Sequence, residues 1–317
     1  MHFQIVPSPN ISVNQNTGEP FRPSVFILLF DSVSRSSGIR SIPKTINILK
    51  ENYGAFDFRG LNKVGSNSLP NGYAFLTGIR TEELPSVDFH MDEKLPSERP
   101  NYCHEYVDNS TFIGKNFTDA GYVSLMAEDW TYGVFKVPGC IGFSNKPTTH
   151  YLRPFYVRMG EDKMLREQTL WQPCIETYQP LMEYHVQFLK AYPTTVPKFS
   201  LIWITELAHN YLDGLFHVDD YFANFFQQNR QLFRESFVFM MSDHGMTFGP
   251  VRETKMGQKE NGNPMLFFAV PESLSHNKQL LENLRTNSAD RLISHFDVYT
   301  TLLDIATVAP RTNWTDF

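Results

Sequence analysis

Cysteine is scarce in this sequence: Cys103, Cys140 and Cys174 are the only three in 317 residues, so at most one disulfide forms within the chain. Cys103 with Cys140, or Cys140 with Cys174, would tie the middle of the chain in an oxidising compartment, and both pairings stay open. No apolar run approaches the length needed to cross a bilayer, and the opening residues MHFQIVPSPN do not read as a signal peptide. Positive charge is not in excess either. Lys and Arg number 28 against 34 Asp and Glu, a net charge of -6, which gives no electrostatic reason to expect nucleic acid as a partner.

What the sequence has is aromatic and apolar residues, at 14% and 41% of the chain, enough for a substantial core. Residues 1–22 are polar and Pro-containing and read as an extended lead-in, and 23–317 are expected to form a single domain. Four Asn-x-Ser/Thr sequons begin at Asn10, Asn109, Asn116 and Asn313, candidate glycosylation sites that matter only in a secreted or lumenal protein.

Three stretches carry the chemistry. In SFVFMMSDHGMTFG (236–249) an apolar run of strand length ends abruptly in Asp243, His244 and Gly245. In SVFILLFDSVSR (24–35) a second apolar run ends in Asp31. Adjacent oxygen and nitrogen donors at the carboxyl end of buried strands suit a divalent metal, and Gly245 lets the backbone turn at once. In GSNSLPNGYAFLTG (65–78) the hydroxyls of Ser66 and Ser68 sit in a turn rich in Asn, Pro and Gly, before a helix-like segment.

This order of motifs resembles the alkaline phosphatase superfamily, which includes sulfatases, phosphodiesterases and phosphoethanolamine transferases. The phrases FDSVSR, KVGSNSLPN and SDHGMTFGPVRET look most like a sulfatase-like extracellular family of nematodes and insects. The resemblance spans roughly Arg22 to Ala306. It implies an α/β three-layer sandwich with a mostly parallel central sheet flanked by helices. Asp31, Asp243 and His244 would be ligands of one metal, and Ser68, also a ligand, would be the nucleophile. Metal coordination is a sensible device for a serine, whose hydroxyl is a poor nucleophile until its pKa falls. Zinc is the expected ion, with manganese or calcium as alternatives and one or two ions held. The relatives carry an anchor or signal, so the chain is expected to be truncated at both ends and to meet a membrane only through an anchor outside it. Localisation in the secretory pathway or outside the cell is implied with it.

One departure bears on the reaction. Sulfatases that use formylglycine need Cys or Ser-x-Pro-x-Arg, and here Ser68 and Pro70 fit but the last position is Gly72. Direct attack of Ser68 on the phosphorus of a phosphate ester is the better expectation. A sulfatase without formylglycine and a catalytically inactive extracellular binding protein of the same fold are the alternatives, the second because ENGNP (260–264) and Asn210 replace acids usual in relatives.

Further candidates lie along the chain. Asn71 would donate to a phosphoryl oxygen or cap the helix expected from Asn71 onward. Glu128 and Asp129 end a strand beside the site, with turn acids as the plainer reading. FSLIWITELAH (199–209) brings Glu206 and His209 to where phosphodiesterase-like relatives hold a second metal, and His209 could instead protonate a leaving oxygen. Lys255 or Lys259 would hold the anion where a second metal is absent, and His295 would be a late second-metal ligand. Residues 136–177 lack clear periodicity and form the insert expected to shape substrate access.

Overall fold

The computed structural model describes residues 3–8, 21–85, 94–167 and 175–315. Asn10 and Cys174 lie outside the described residues. A seven-stranded sheet forms the middle layer. Its strands are β1 (Ser24–Phe30), β2 (Phe56–Asp57), β3 (Val123–Glu128), β4 (His150–Tyr151), β5 (Lys198–Ile204), β6 (Ser236–Met241) and β7 (Leu266–Ala269). Their spatial order is β2-β7-β6-β1-β5-β3-β4, parallel throughout except where β7 runs antiparallel to β6 and β2.

The continuous apolar runs follow from burial on both faces, as a parallel sheet between helices requires. Along β1, Phe26, Leu28 and Phe30 enter one core, while Val25, Ile27 and Leu29 enter the other. The first core is closed by α2 (Pro43–Tyr53), by α6 (Tyr178–Ala191) and by α7 (Asp219–Gln228). The second is closed by α3 (Ser68–Thr77), α4 (Ile113–Asp119) and α10 (His295–Thr307). Each fully buried Leu, Ile or Phe contributes about 1.5–3 kcal/mol, so the two cores supply the main driving force. The remaining helices of seven residues or more are α1 (Arg35–Ser41), α5 (Arg153–Glu161), α8 (Lys255–Gly262) and α9 (Lys278–Asp290).

Helix boundaries follow local chemistry. In α2, Pro43 stands in the first turn and Gly54 ends the helix in the left-handed region at φ 62°. Its first turn is capped from outside: Asp219 accepts hydrogen bonds from the backbone of Lys44 and Thr45, both at 2.9 Å. Asp219 thus has a structural role, an acid at a neighbouring helix's positive end. α3 begins at Ser68 rather than at Asn71, and its cap is Asn67, whose side chain accepts from Leu69 N at 3.1 Å. Cys103 and Cys140 form a disulfide. No helix among the described residues is long and apolar enough to cross a membrane.

Candidate metal centre

Parallel pairing brings the carboxyl ends of β1, β5, β3 and β6 to one edge, because Leu29 stands level with both Trp203 and Met241, and Glu128 with Trp203. Asp31, Asp243 and His244 project there, all buried, with ligand atoms within 4.8 Å of one another. Ser68 joins them from the start of α3, its Oγ 3.2 Å from Asp31 Oδ2 and 3.4 Å from His244 Nε2. Ser66 is turned away, its hydroxyl and backbone amide both bonded to Glu82.

The four groups are held from behind. Asp243 Oδ1 accepts from His244 N at 2.8 Å and Ser32 N at 3.1 Å, and Ser32 Oγ donates to Asp31 Oδ1 at 2.9 Å. Ser32 takes φ 62° to make these contacts, a left-handed conformation that costs a non-glycine residue about 1–2 kcal/mol. His244 Nδ1 donates to the Gly245 carbonyl at 2.7 Å, which leaves the Nε2 lone pair facing Asp243 Oδ2 at 3.3 Å. Asp243 Oδ2 is buried with no hydrogen-bond partner. A lone pair and a carboxylate oxygen in mutual contact repel unless a positive charge lies between them, so the donor set fits a divalent cation. Burial raises the Asp31 carboxyl to about 6, the Asp243 charge adds to the rise, and His244 and His209 oppose it. Without a cation two carboxylates in this space resist simultaneous ionisation.

The other candidates separate. His209 is half-buried at the rim, within charge range of Asp31, and its ring lies 5.2 Å from that of Phe248. Its Nδ1 donates to Asn210 Oδ1 at 3.0 Å, leaving Nε2 free, so Asn210 can orient the imidazole as an acid would. Glu206 is exposed and stands outside the three-residue cluster.

Three expectations are corrected. Asn71 neither caps α3 nor has a free amide: its Oδ1 accepts from Val64 N and Gly65 N, and its Nδ2 donates to the Gly65 and Asn67 carbonyls. Lys255 and Lys259 are exposed on α8, and a lysine within charge range of Asp243 is Lys63, half-buried and bonded to Asn261 Oδ1. His295 is fully buried behind the strand end, with Nε2 3.3 Å from the Ser242 carbonyl. Desolvation lowers its pKa to about 4, so it stands there as a neutral ring beside the cluster.

Lys63 escaped sequence reasoning because nothing in KVGSNS marks a lysine five residues before the serine as within charge range of a residue 180 positions later. Asn261, noted only as a departure in ENGNP, ties the turn after His244, donating to the carbonyls of Gly245 (2.9 Å) and Met246 (3.1 Å). Asp129 acts as a structural clamp. Its Oδ1 accepts from Thr205 N at 2.6 Å and Glu206 N at 3.4 Å, and its Oδ2 from the Thr177 hydroxyl at 2.9 Å. It thereby anchors the start of the loop that carries His209.

A family model described as protein of unknown function (DUF229) matches residues 1–316. The chain belongs to that family. No curated protein matches it. Solved structures share its fold, among them a protein in the alkaline phosphatase superfamily from Vibrio parahaemolyticus, with a TM-score of 0.55 at 13% identity over 96% of this chain and 72% of that one. Ps i-CgsB in complex with k-i-k-neocarrahexaose superposes with a TM-score of 0.56 at 14% identity, over 93% of this chain and 74% of that one. The C-terminal periplasmic domain of EcEptC from Escherichia coli, in complex with Zn, gives 0.52 at 13%, over 92% and 84%. An inactive murine ectonucleotide pyrophosphatase/phosphodiesterase 5 in complex with AMP gives 0.51 at 12%, over 90% and 95%.

Proposed function

We propose that this DUF229 chain is a metal-dependent hydrolase or transferase of phosphate esters with Ser68 as its nucleophile. The observation that carries this is the convergence of Ser68 Oγ, Asp31, His244 Nε2 and the unpartnered Asp243 Oδ2 at one strand edge. Asp31, Ser68, Asp243 and His244 would hold the ion, zinc by the mixed oxygen and nitrogen donors, with manganese or calcium as alternatives. When bound, such an ion supplies Lewis-acid charge that lowers the serine pKa and offsets negative charge on a phosphoryl oxygen.

In the reaction Ser68, its proton lost to solvent at the lowered pKa, would form a bond from Oγ to phosphorus while the ester P–O bond opposite breaks. His209, half-buried at the rim, would supply the proton for the departing oxygen. Water, or an acceptor alcohol in the transferase case, then attacks the phosphoserine and restores the hydroxyl. Lys63, within charge range of Asp243, would be the anion-holding cation of a one-metal site. The phosphate reading is preferred to the sulfatase one because Gly72 is packed under Val134 and Trp203: even a Cβ there would lie 2.4 Å from Val134 Cγ2, leaving no room for the sulfatase motif's arginine.

Resemblance to the extracellular nematode and insect family, together with the Cys103–Cys140 disulfide, supports a place in the secretory pathway or outside the cell. Asn109 and Asn313 are exposed and Asn116 is half-buried in α4, so the first two are the better glycosylation candidates. The segment 23–317 is proposed to act as one domain. The test is turnover of aryl phosphate monoester, diester and sulfate by wild type and Ser68→Ala. Loss of phosphate-ester turnover by roughly 10^3-fold or more in the variant is the scale expected when a covalent nucleophile goes. Retained turnover would remove Ser68 from the chemistry.

A further inference from the structure

A cleft of about 400 Å³ opens on the same sheet edge, lined chiefly by the segment from Tyr132 to Pro154, with Glu128 at the end of β3. β3 lies two strands from β1, so at sheet spacing its end, where Glu128 lines the cleft, is about 10 Å from the end of β1 that leads to Asp31. The wall between them is thin. Val134 donates its backbone amide to Glu128 Oε2 at 2.6 Å, and its side chain packs on Gly72 of α3, the helix that Ser68 begins.

Three cations line this cleft, Lys136, Lys146 and Arg153. Each is tethered by a backbone carbonyl: Lys136 Nζ to Ile141 at 3.0 Å, Lys146 Nζ to Thr149 at 2.9 Å and Arg153 Nε to Tyr132 at 2.7 Å. None forms a salt bridge with a carboxylate among the described residues, unlike Arg35, Arg40 and Arg99 elsewhere on the surface. The remaining N–H groups of Lys136 and Lys146 are therefore unspent, while Arg153 also meets the Tyr151 hydroxyl and lies within charge range of Glu128. Burial raises the Glu128 carboxyl to about 7 against the opposing Arg153 charge, so at neutral pH the one acid in the lining is only partly ionised beside three cations. The rings of Tyr132, Phe143 and Tyr151 supply flat apolar surface between the cations.

Resting on the Ser68 reading, we infer that this cleft binds a second anionic group of the same substrate, on a leaving group or acceptor with a flat face. The substrate class is then a multiply charged ester, either a sugar bearing several phosphates or sulfates or a nucleotide, rather than a simple monoester. Tethered cations without salt-bridge partners bind a second anion with little reorganisation, and a pair of anion sites at fixed separation discriminates by charge spacing.

The test uses Ser68→Ala protein, in which probes are not consumed, so it does not depend on turnover. Calorimetry compares inorganic phosphate, ADP and a heparin-derived hexasaccharide, each with and without the triple change Lys136→Gln, Lys146→Gln and Arg153→Gln. At least one multiply charged probe should bind tenfold or more tighter than phosphate, lose at least tenfold in the triple variant, and weaken with added salt. Which of the two binds tighter identifies the source of the second anion. If neither multiply charged probe binds tighter than phosphate, or the one that does binds the triple variant equally well, the inference is overturned. If the triple variant fails to fold, Lys146→Gln, at an exposed position, carries the comparison with a loss of about threefold expected and no loss contradicting. Aryl ester turnover by wild type tests the Ser68 reading separately.

Discussion

Asp243 Oδ2 is a buried carboxylate oxygen with no partner, and a group in that state costs several kcal/mol unless a cation meets it. Asp31, raised to about 6 by burial and by Asp243, must lose its proton to serve as a ligand. Apparent metal affinity is therefore predicted to rise about tenfold per pH unit below pH 6 and to flatten above it, as read by calorimetry across that range. An affinity independent of pH between 5 and 7 would take Asp31 out of the ligand set. Glu128 gives a second test at this scale. Its carboxyl is raised from 4.5 to about 7 by desolvation, so its favourable contribution is complete below pH 4.5 and is lost as pH climbs through 7. Glu128→Gln, which keeps an acceptor for Val134 N, should gain about 2–3 kcal/mol over wild type between pH 5 and pH 8 in denaturant melts. Asp31, Asp243 and His244 stood out in the sequence because they close apolar runs, Asp31 at once and the other two after Ser242, and Ser68 because of its turn. Lys63 and Asp129 were not, since their roles depend on which loops the sheet edge brings together.

At the scale of elements, the loop after β5 is positioned by one side chain. Asp129→Ala frees Thr205 N–H and the Thr177 hydroxyl together, and is predicted to cost about 2–4 kcal/mol of stability. Because this loop carries His209, kcat should fall more than KM rises, while Asp129→Asn, which keeps an oxygen acceptor, should recover most of both. An equal effect of the two variants would deny the clamp. The disulfide acts on the neighbouring insert: Cys103 and Cys140 are 37 residues apart, and closing that loop is worth about 4 kcal/mol in the chain-entropy account. Cys140 adjoins Ile141, whose carbonyl holds Lys136, so Cys103→Ser with Cys140→Ser is expected to weaken multiply charged probes as well as to lower Tm. The strands were readable from apolar runs and most helices from caps and periodicity. The interior of 136–177 was not, because β4 has two residues and α5 is fixed by packing rather than by pattern. α3 began earlier than read because Asn67, not Asn71, satisfies its first amides.

For the whole molecule, strands from both halves of the chain meet at one edge only after the sheet closes in the order β2-β7-β6-β1-β5-β3-β4. The three-layer architecture was implied by resemblance and is what the structure has, with each apolar strand feeding two cores. Strand order, the antiparallel β7 and the cationic cleft depend on long-range pairing that no local pattern records. Metal should stabilise the entire fold, since its ligands come from β1, α3 and the turn after β6. A hundredfold excess over Kd is predicted to add about 2.7 kcal/mol to unfolding in wild type and far less in Asp243→Ala.

The most direct measurement is the metal content of the purified protein beside that of Asp243→Ala, with both tested for uptake of zinc, manganese and calcium. The account predicts at least one tightly held divalent ion in wild type, lost in the variant together with phosphate-ester turnover. A folded wild-type protein that holds none and takes up none of the three would contradict it.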